Sequence, residues 1–277
     1  MAISNARPPL STYAKQLWRR RHFITAFATA KLTSQYSEAK LGQIWQVMTP
    51  LLNAGVYYLI FGVLMNAKRG IDDYIPFLVT GVFVFTFTQS SVIAGTRAIA
   101  GNLGLVRALH FPRAALPISF CLQQLQQLLF SMVALAVIIL GFGLPLSTSW
   151  LLVLPTLVLQ FVFNAGLAMI MARMCAKTPD IAQLMPFVLR TWMYMSGVMF
   201  ALSNVLKGHN VPHAVHVALE CNPAAVYIDL MRFAVIDSFH KSQLPHHVWA
   251  WAIGWALLVG VGGFIYFWKA EETYGRG

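Results

Sequence analysis

Carboxylates are scarce in this chain: nine Asp and Glu stand against 20 Lys and Arg in 277 residues. Charge of either sign makes up only 10% of the sequence and hydrophobic residues 58%, where a soluble domain carries about 25% charge. Too few polar groups remain to coat a globule of this length. Charge is also absent in blocks, since residues 41–67, 74–96, 114–172 and 242–268 hold no Asp, Glu, Lys or Arg. No carboxylate falls inside an apolar run, which argues against a proton-coupled carrier. There is no GxxxxGK followed by Ser or Thr, and no Gly-Lys dipeptide at all, so this chain has no phosphate-cradling loop for ATP. HExxH and Gly-x-Ser-x-Gly are missing too, which leaves little to support an enzyme. Cys121, Cys175 and Cys221 have no paired spacing and read as small apolar filler. His209, His213 and His216 are spaced like metal ligands, but Pro212 interrupts their helix and nothing completes the set, so no metal site is expected.

What is present is hydrophobicity of bilayer length. A crossing takes ~20 mainly apolar residues, and six spans fit, at roughly 47–66, 74–95, 115–140, 150–172, 181–202 and 248–268. The turn LGFGLPLSTSW splits the longest uncharged run into a hairpin. The expected fold is therefore an all-α integral membrane protein: a tail over 1–46, a six-helix membrane domain over 47–268, and a second tail over 269–277. No early apolar stretch resembles a cleavable signal, so the first tail is expected to stay on the side of synthesis. Basic residues give the orientation. Fourteen (Arg7, Lys15, Arg19, Arg20, Arg21, Lys31, Lys40, Arg97, Arg107, Arg113, Arg173, Lys177, Lys269 and Arg276) lie on one side of these spans. The other side has Lys68, Arg69, Lys207, Arg232 and Lys241. Both termini are then expected in the cytoplasm. The net charge of +11 reports topology and attraction to anionic membrane lipid, not nucleic acid.

The first tail is amphipathic, with Leu10, Tyr13, Leu17, Ile24 and Phe27 at helical spacing and Lys15, Arg19 and Arg20 elsewhere. This predicts an in-plane interface helix with Trp18 and Phe23 dipping into the headgroups. Between spans two and three the basic piece LGLVRALHF is helix-like and stopped by Pro112. In CAKTPDIAQL, Thr178 can cap, Pro179 fits the first helical position and Asp180 favours the positive helix end. ECNPAAVYIDLMRFAVID reads as a helix opened by Asn222 and Pro223, with Asp229 and Arg232 paired three apart. It is too short and too charged to cross, so it should be re-entrant or surface-lying on the outer side.

Two polar stripes lie within the spans. In span five Gln183, Phe187, Arg190, Tyr194 and Gly197 share one face. In span three Ser119, Gln123, Gln126, Gln127 and Phe130 do the same, and amides cannot face lipid cheaply. For the glutamines the choice stands between a substrate channel and interhelical hydrogen bonds. Thr49, Asn53, Tyr57 and Phe61 repeat every four residues in span one, a weaker signal of the same kind. Arg190 falls about 15 Å along its helix from Asp180, near the middle of a ~30 Å layer, with no carboxylate in any span to neutralise it. It either faces a wet channel or bonds backbone carbonyls at a helix break.

Taken in order, YSEAKLGQIWQVMTPLL, LVRALHFPRAALPIS, the TPD turn, the SG-containing end of span five and CNPAAVYIDLMR resemble the permease subunit of type 2 ABC exporters for cell-envelope polysaccharides. That family includes O-antigen, capsule, teichoic acid and mycobacterial galactan permeases, and RTWMYMSGVMF looks most like the galactan or teichoic acid branch. The resemblance implies a homodimer in the bacterial plasma (inner) membrane with two ABC ATPase subunits that hold the ATP and Mg; this chain would need no cofactor and would not itself be an enzyme. It implies a polyprenyl-pyrophosphate-linked polysaccharide as substrate and a channel at the dimer interface. Arg190, Tyr194, Phe187, Gln183, Asn53, Tyr57, Phe61, Gln123 and Gln127 are the channel candidates. The 97–113 loop would dock the ATPase through Leu105, Arg107, Leu109 and His110, with Asp180 beside it, and residues 203–246 would form gate helices carrying Asn222, Pro223, Asp229 and Arg232. Relatives often have Arg-Asp where this chain has Pro179-Asp180, which puts an ATPase contact by a basic residue there in doubt. A polyprenyl-phosphate-dependent glycosyltransferase is the alternative; it needs acidic residues facing the cytoplasm, and the adjacent pair Asp72-Asp73 is expected outside.

Overall fold

The computed structural model describes residues 8–37, 40–65, 71, 73–109, 111–145, 147–201, 213–239, 244–245 and 247–274. Among these residues the regular structure is helical, with no strand. In chain order the helices are α1 (Leu10–Arg19), α2 (Arg21–Tyr36), α3 (Trp45–Tyr57), α4 (Tyr74–Thr96), α5 (Leu103–Ala108), α6 (Ala115–Gly141), α7 (Val153–Lys177), α8 (Ile181–Met195), α9 (His213–Glu220), α10 (Pro223–Val235) and α11 (Val248–Trp268). Five segments are long and apolar enough to cross a membrane: Gly42–Leu64, Tyr74–Thr96, Ala115–Gly141, Thr148–Lys177 and Val248–Trp268. They fall on five of the six expected spans. The fifth expected span, 181–202, is shorter than its apolar run: α8 has 15 residues, or ~22 Å, against a ~30 Å hydrocarbon layer.

The helix stops because its chain turns. Ser196 closes the last turn by donating to the Met193 carbonyl at 3.2 Å, and Gly197 follows at φ 64°, the left-handed conformation that ends helices and that glycine adopts without steric cost. At its other end α8 is separated from α7 only by the exposed Thr178–Asp180 turn. The N-cap position there is Asp180, with no side-chain cap bond, so Thr178 does not cap as expected; its N–H closes α7 on the Met174 carbonyl.

A rigid scaffold is built on α4, whose side chains are buried on nearly every side by α6, α7, α8 and α10. Next to it α7 and α11 meet backbone to backbone. A Cβ at Gly166 would run into Val259 and Gly260, and one at Gly263 into Gly166. Lipid tails give no hydrophobic drive for helix association, so close van der Waals contact through small residues does the holding. The Gln160 side-chain nitrogen is held inside this scaffold, donating to the Val84 carbonyl and the Thr88 hydroxyl at 3.0 Å each. By contrast the Gly42–Leu64 span packs along a narrow line of Gln46, Pro50 and Ala54 and leaves Leu52, Val56, Leu59 and Val63 outward.

The end of the bundle carrying most of the basic residues is closed by the first tail. Ile24, Ala28 and Leu32, four apart, seat α2 across α6. Phe27 meets Phe120 edge-on at 5.7 Å and Phe23 lies 5.3 Å from Phe111. Phe23 is therefore a packing residue, not one that dips into headgroups, whereas Trp18 stays 71% exposed.

Candidate functional site

α8 has two unlike faces. Met185, Leu189 and Met193 are buried, the first two against Val92 of α4 and Met171 of α7 and Met193 in the main core. Trp192 anchors the helix further, its ring edge-on to Phe85 with centroids 6.0 Å apart. The opposite face, Gln183, Phe187, Arg190 and Tyr194, is exposed in the protomer, Phe187 to 71%. Among the described residues Arg190 makes no hydrogen bond or ion pair. Tyr57 lies close enough to Arg190 and Tyr194 for their charges to interact. Tyr57 and Phe61 are half-buried beside the core, and Asn53 is exposed. Two segments far apart in sequence thus place an arginine, two tyrosines and a phenylalanine along one open surface.

The glutamines do not join it. Gln123 donates to Gln35 Oε1 at 2.9 Å, Gln126 to the Thr29 hydroxyl at 3.0 Å and Gln127 to the Tyr36 hydroxyl at 3.5 Å, all on α2. Of the two expectations for this stripe, interhelical hydrogen bonding is present within the protomer. The amides stand about 12–18 Å along α6 from Ala115 at ~1.5 Å per residue, where α2 crosses.

The broken end of α8 is a second feature, one that sequence reasoning placed elsewhere. Backbone carbonyls freed at a break cost several kcal/mol each when they find no partner away from water. Here four of them are met. Asn222 Nδ2 donates to the Met195 carbonyl at 3.0 Å, and Arg232 donates to Gly197 at 3.0 Å and Val198 at 2.9 Å. The Tyr74 hydroxyl donates to Met199 at 2.9 Å. Arg232 also donates to the Phe77 carbonyl at 3.2 Å, covers the Phe77 ring and pairs with Asp229 at 3.2 Å. Gly81 leaves its seat open, since a Cβ there would stand 2.6 Å from Nη2. Asn222 caps α10 by accepting from the Ala224 N–H at 3.2 Å and accepts from the Trp192 indole at 2.8 Å.

The segment expected to open at Asn222 and Pro223 and to pair Asp229 with Arg232 does both, yet it does not lie on a surface. Arg232 is 1% exposed, and α10 is buried among α4, α7 and α11. Its ends are tied to the neighbouring elements: the Trp255 indole, about 10 Å along α11 from Val248, donates to Cys221, while Ser149 donates to Ala234 and Ser238 to Asp73.

In the 97–113 loop, α5 has six residues. Leu105 leans into the core at the basic end and Leu109 lies past the helix in extended backbone, 51% exposed. They do not form one face, because the helix stops at Ala108. Val106 is the buried anchor; Leu103, Arg107 and Leu109 are outside, as is Asp180, and His110 lies outside the described residues. So do His209 and Pro212, and among the described residues no group of three His, Cys, Asp or Glu could hold a metal.

The family model described as ABC-2 type transporter matches residues 23–235, which covers α2 through α10. Among curated relatives, an O-antigen export system permease protein RfbA of Klebsiella pneumoniae is 26% identical over 171 residues, 61% of this chain and 65% of that protein. An RfbA of Myxococcus xanthus is 26% identical over 193 residues, 69% and 73% of the two chains. The polysialic acid transport protein KpsM of Escherichia coli is 22% identical over 223 residues, 78% and 82%. The similarity to the Klebsiella relative thus spans about two thirds of its length.

Proposed function

This chain belongs to the ABC-2 type transporter family, and from that premise we propose that it is the membrane-spanning permease of an ATP-driven exporter of a cell-envelope polysaccharide. The names of its relatives, O-antigen export permeases and a polysialic acid transporter, support the substrate class. A polyprenyl-pyrophosphate-linked polymer of O-antigen, teichoic acid or galactan type is the substrate, the chain sits in the bacterial plasma membrane with both termini in the cytoplasm, and α8 with the segment after it serves as the sixth, broken crossing. With no phosphate loop of its own, the permease draws on ATP hydrolysed by two separate ATPase subunits. Two copies of the chain enclose the channel.

One observation carries the reading: the exposed face of Gln183, Phe187, Arg190 and Tyr194, with Tyr57 near its arginine and tyrosine. An arginine in mid-layer costs roughly 2.5–3.5 kcal/mol on insertion scales and more against lipid. Among the described residues of its own protomer this one has neither hydrogen-bond partner nor burial. A wet channel between two copies removes that cost, and its aromatic neighbours offer stacking surfaces to sugar C–H faces. Arg190 can then meet phosphate or hydroxyls in transit, α10 serves as the re-entrant gate, and closure of the ATPases acts through α5.

The test is Arg190→Leu in a strain lacking its own copy. The variant should reach the membrane and retain its ATPase at normal yield while surface polysaccharide falls at least tenfold, with Arg190→Lys in between. Export at the normal level by Arg190→Leu would overturn the channel reading.

A further inference from the structure

Three segments far apart in sequence meet on one carboxylate at the basic end. Glu271 follows α11 in a short turn, Glu271–Thr273. Its Oε2 accepts from the Tyr13 hydroxyl of α1 at 2.8 Å and its Oε1 from the Arg113 N–H at 2.9 Å. The Arg113 guanidinium bends back onto the Glu271 carbonyl. Tyr13, 1% exposed, also accepts from the Ala114 N–H at 3.1 Å. The surroundings are braced as well: Phe267 and Tyr274 stack with centroids 4.6 Å apart, and the Trp268 indole donates to the Pro8 carbonyl at 3.0 Å. Burial lifts the Glu271 carboxyl above its ordinary range, against the bonds from Arg113 and Tyr13 that favour the charged form.

Arg113 and Ala114 form the stem by which the 97–113 loop joins α6. Within that loop α5 has only six residues, too few to hold a helix without tertiary support, and it buries little beyond Val106 and part of Leu105. Its orientation is set by what grips its ends. At the far end it is covalently tied to α4 through residues 97–102. At the near end the grip is Glu271 and Tyr13.

We propose that Glu271 is a positioning residue: the turn after α11 fixes the stem of the 97–113 loop and thereby the angle at which α5 meets the ATPase. The second half rests on the docking role given to α5 above. Coupling is then gauged by a residue that touches neither ATP nor polymer. Tyr13→Phe removes the hydroxyl that joins α1 to both Glu271 and Ala114, and should act in the same direction with smaller size.

The test uses the purified exporter with Glu271→Gln, a near-isosteric change. Hydrogen exchange of amides 103–114 should quicken at least tenfold while the α7 and α11 amides around Gly166 and Gly263 keep their protection. The complex should form at normal yield with unchanged KM for ATP and at least threefold lower kcat, and Glu271→Asp should restore part of it. Wild-type protection of 103–114 would overturn the positioning role. Protection lost equally in α7 and α11 would mark a contact that merely holds the fold, and would overturn it too. A loosened loop with unchanged kcat would leave Glu271 gripping the stem and overturn the docking role of α5.

Discussion

Arg190 and Arg232 each interrupt an apolar segment, and their surroundings are opposite. Arg232 is 1% exposed and spends its donors on Phe77, Gly197, Val198 and Asp229. Arg190, on the helix whose end Arg232 holds, is exposed and has no hydrogen bond or ion pair among the described residues. A guanidinium that is buried and whose three nitrogens all donate to its own chain is not offered to a passing substrate. The difference separates an arginine that makes a helix break tolerable from one available to something that moves past.

The largest effect is expected where the break is held. Arg232→Met leaves three backbone carbonyls and the Asp229 carboxylate without their partner, which should cost ~3–5 kcal/mol. That corresponds to a fall of about 10 °C or more in thermal midpoint, or to loss of the protein from the membrane fraction. A variant with wild-type stability would dissolve the distinction between the two arginines. Asn222→Ala is milder. It removes the α10 cap, the bond to Met195 and the acceptor for Trp192, for ~1–3 kcal/mol together, and should be read in the same thermal scan.

The smallest effect sharpens the contrast from the other side. Gln123→Leu combined with Gln127→Leu removes two amide contacts to α2. Such bonds within membranes average about 0.6 kcal/mol each, so export should stay within about twofold of normal. A loss as deep as that expected for Arg190→Leu would return the glutamines to the channel wall.

Much of this was legible in the chain. The uncharged runs mark the five long helices because bilayer-length hydrophobicity leaves no other reading. The start of α10 at Asn222 and Pro223 and the Asp229–Arg232 pair follow from local rules of capping and spacing. The break after Met195 did not, since SGVMF is apolar and no proline marks it; a single glycine in a membrane run continues a helix as readily as it ends one. Arg232 was counted with the outer charges because its partners are distant, Gly197 by 35 residues and Phe77 by 155. The role of bonding carbonyls at a break was foreseen, but as one of two possibilities for Arg190. Glu271 looked like a tail residue for the same reason, lying 158 positions from Arg113 and 258 from Tyr13.

The central claim is that the Arg190 face meets water inside the membrane. Arg190→Cys and Arg232→Cys, each in a chain with Cys121, Cys175 and Cys221 replaced by Ala, can be treated in intact membranes with a charged, membrane-impermeant thiosulfonate applied to both sides. A thiol at 190 should be modified within minutes, while one at 232 in any protein that folds should resist. An unreactive thiol at 190 in correctly inserted, ATPase-bound permease would place that face against lipid or protein and contradict the account.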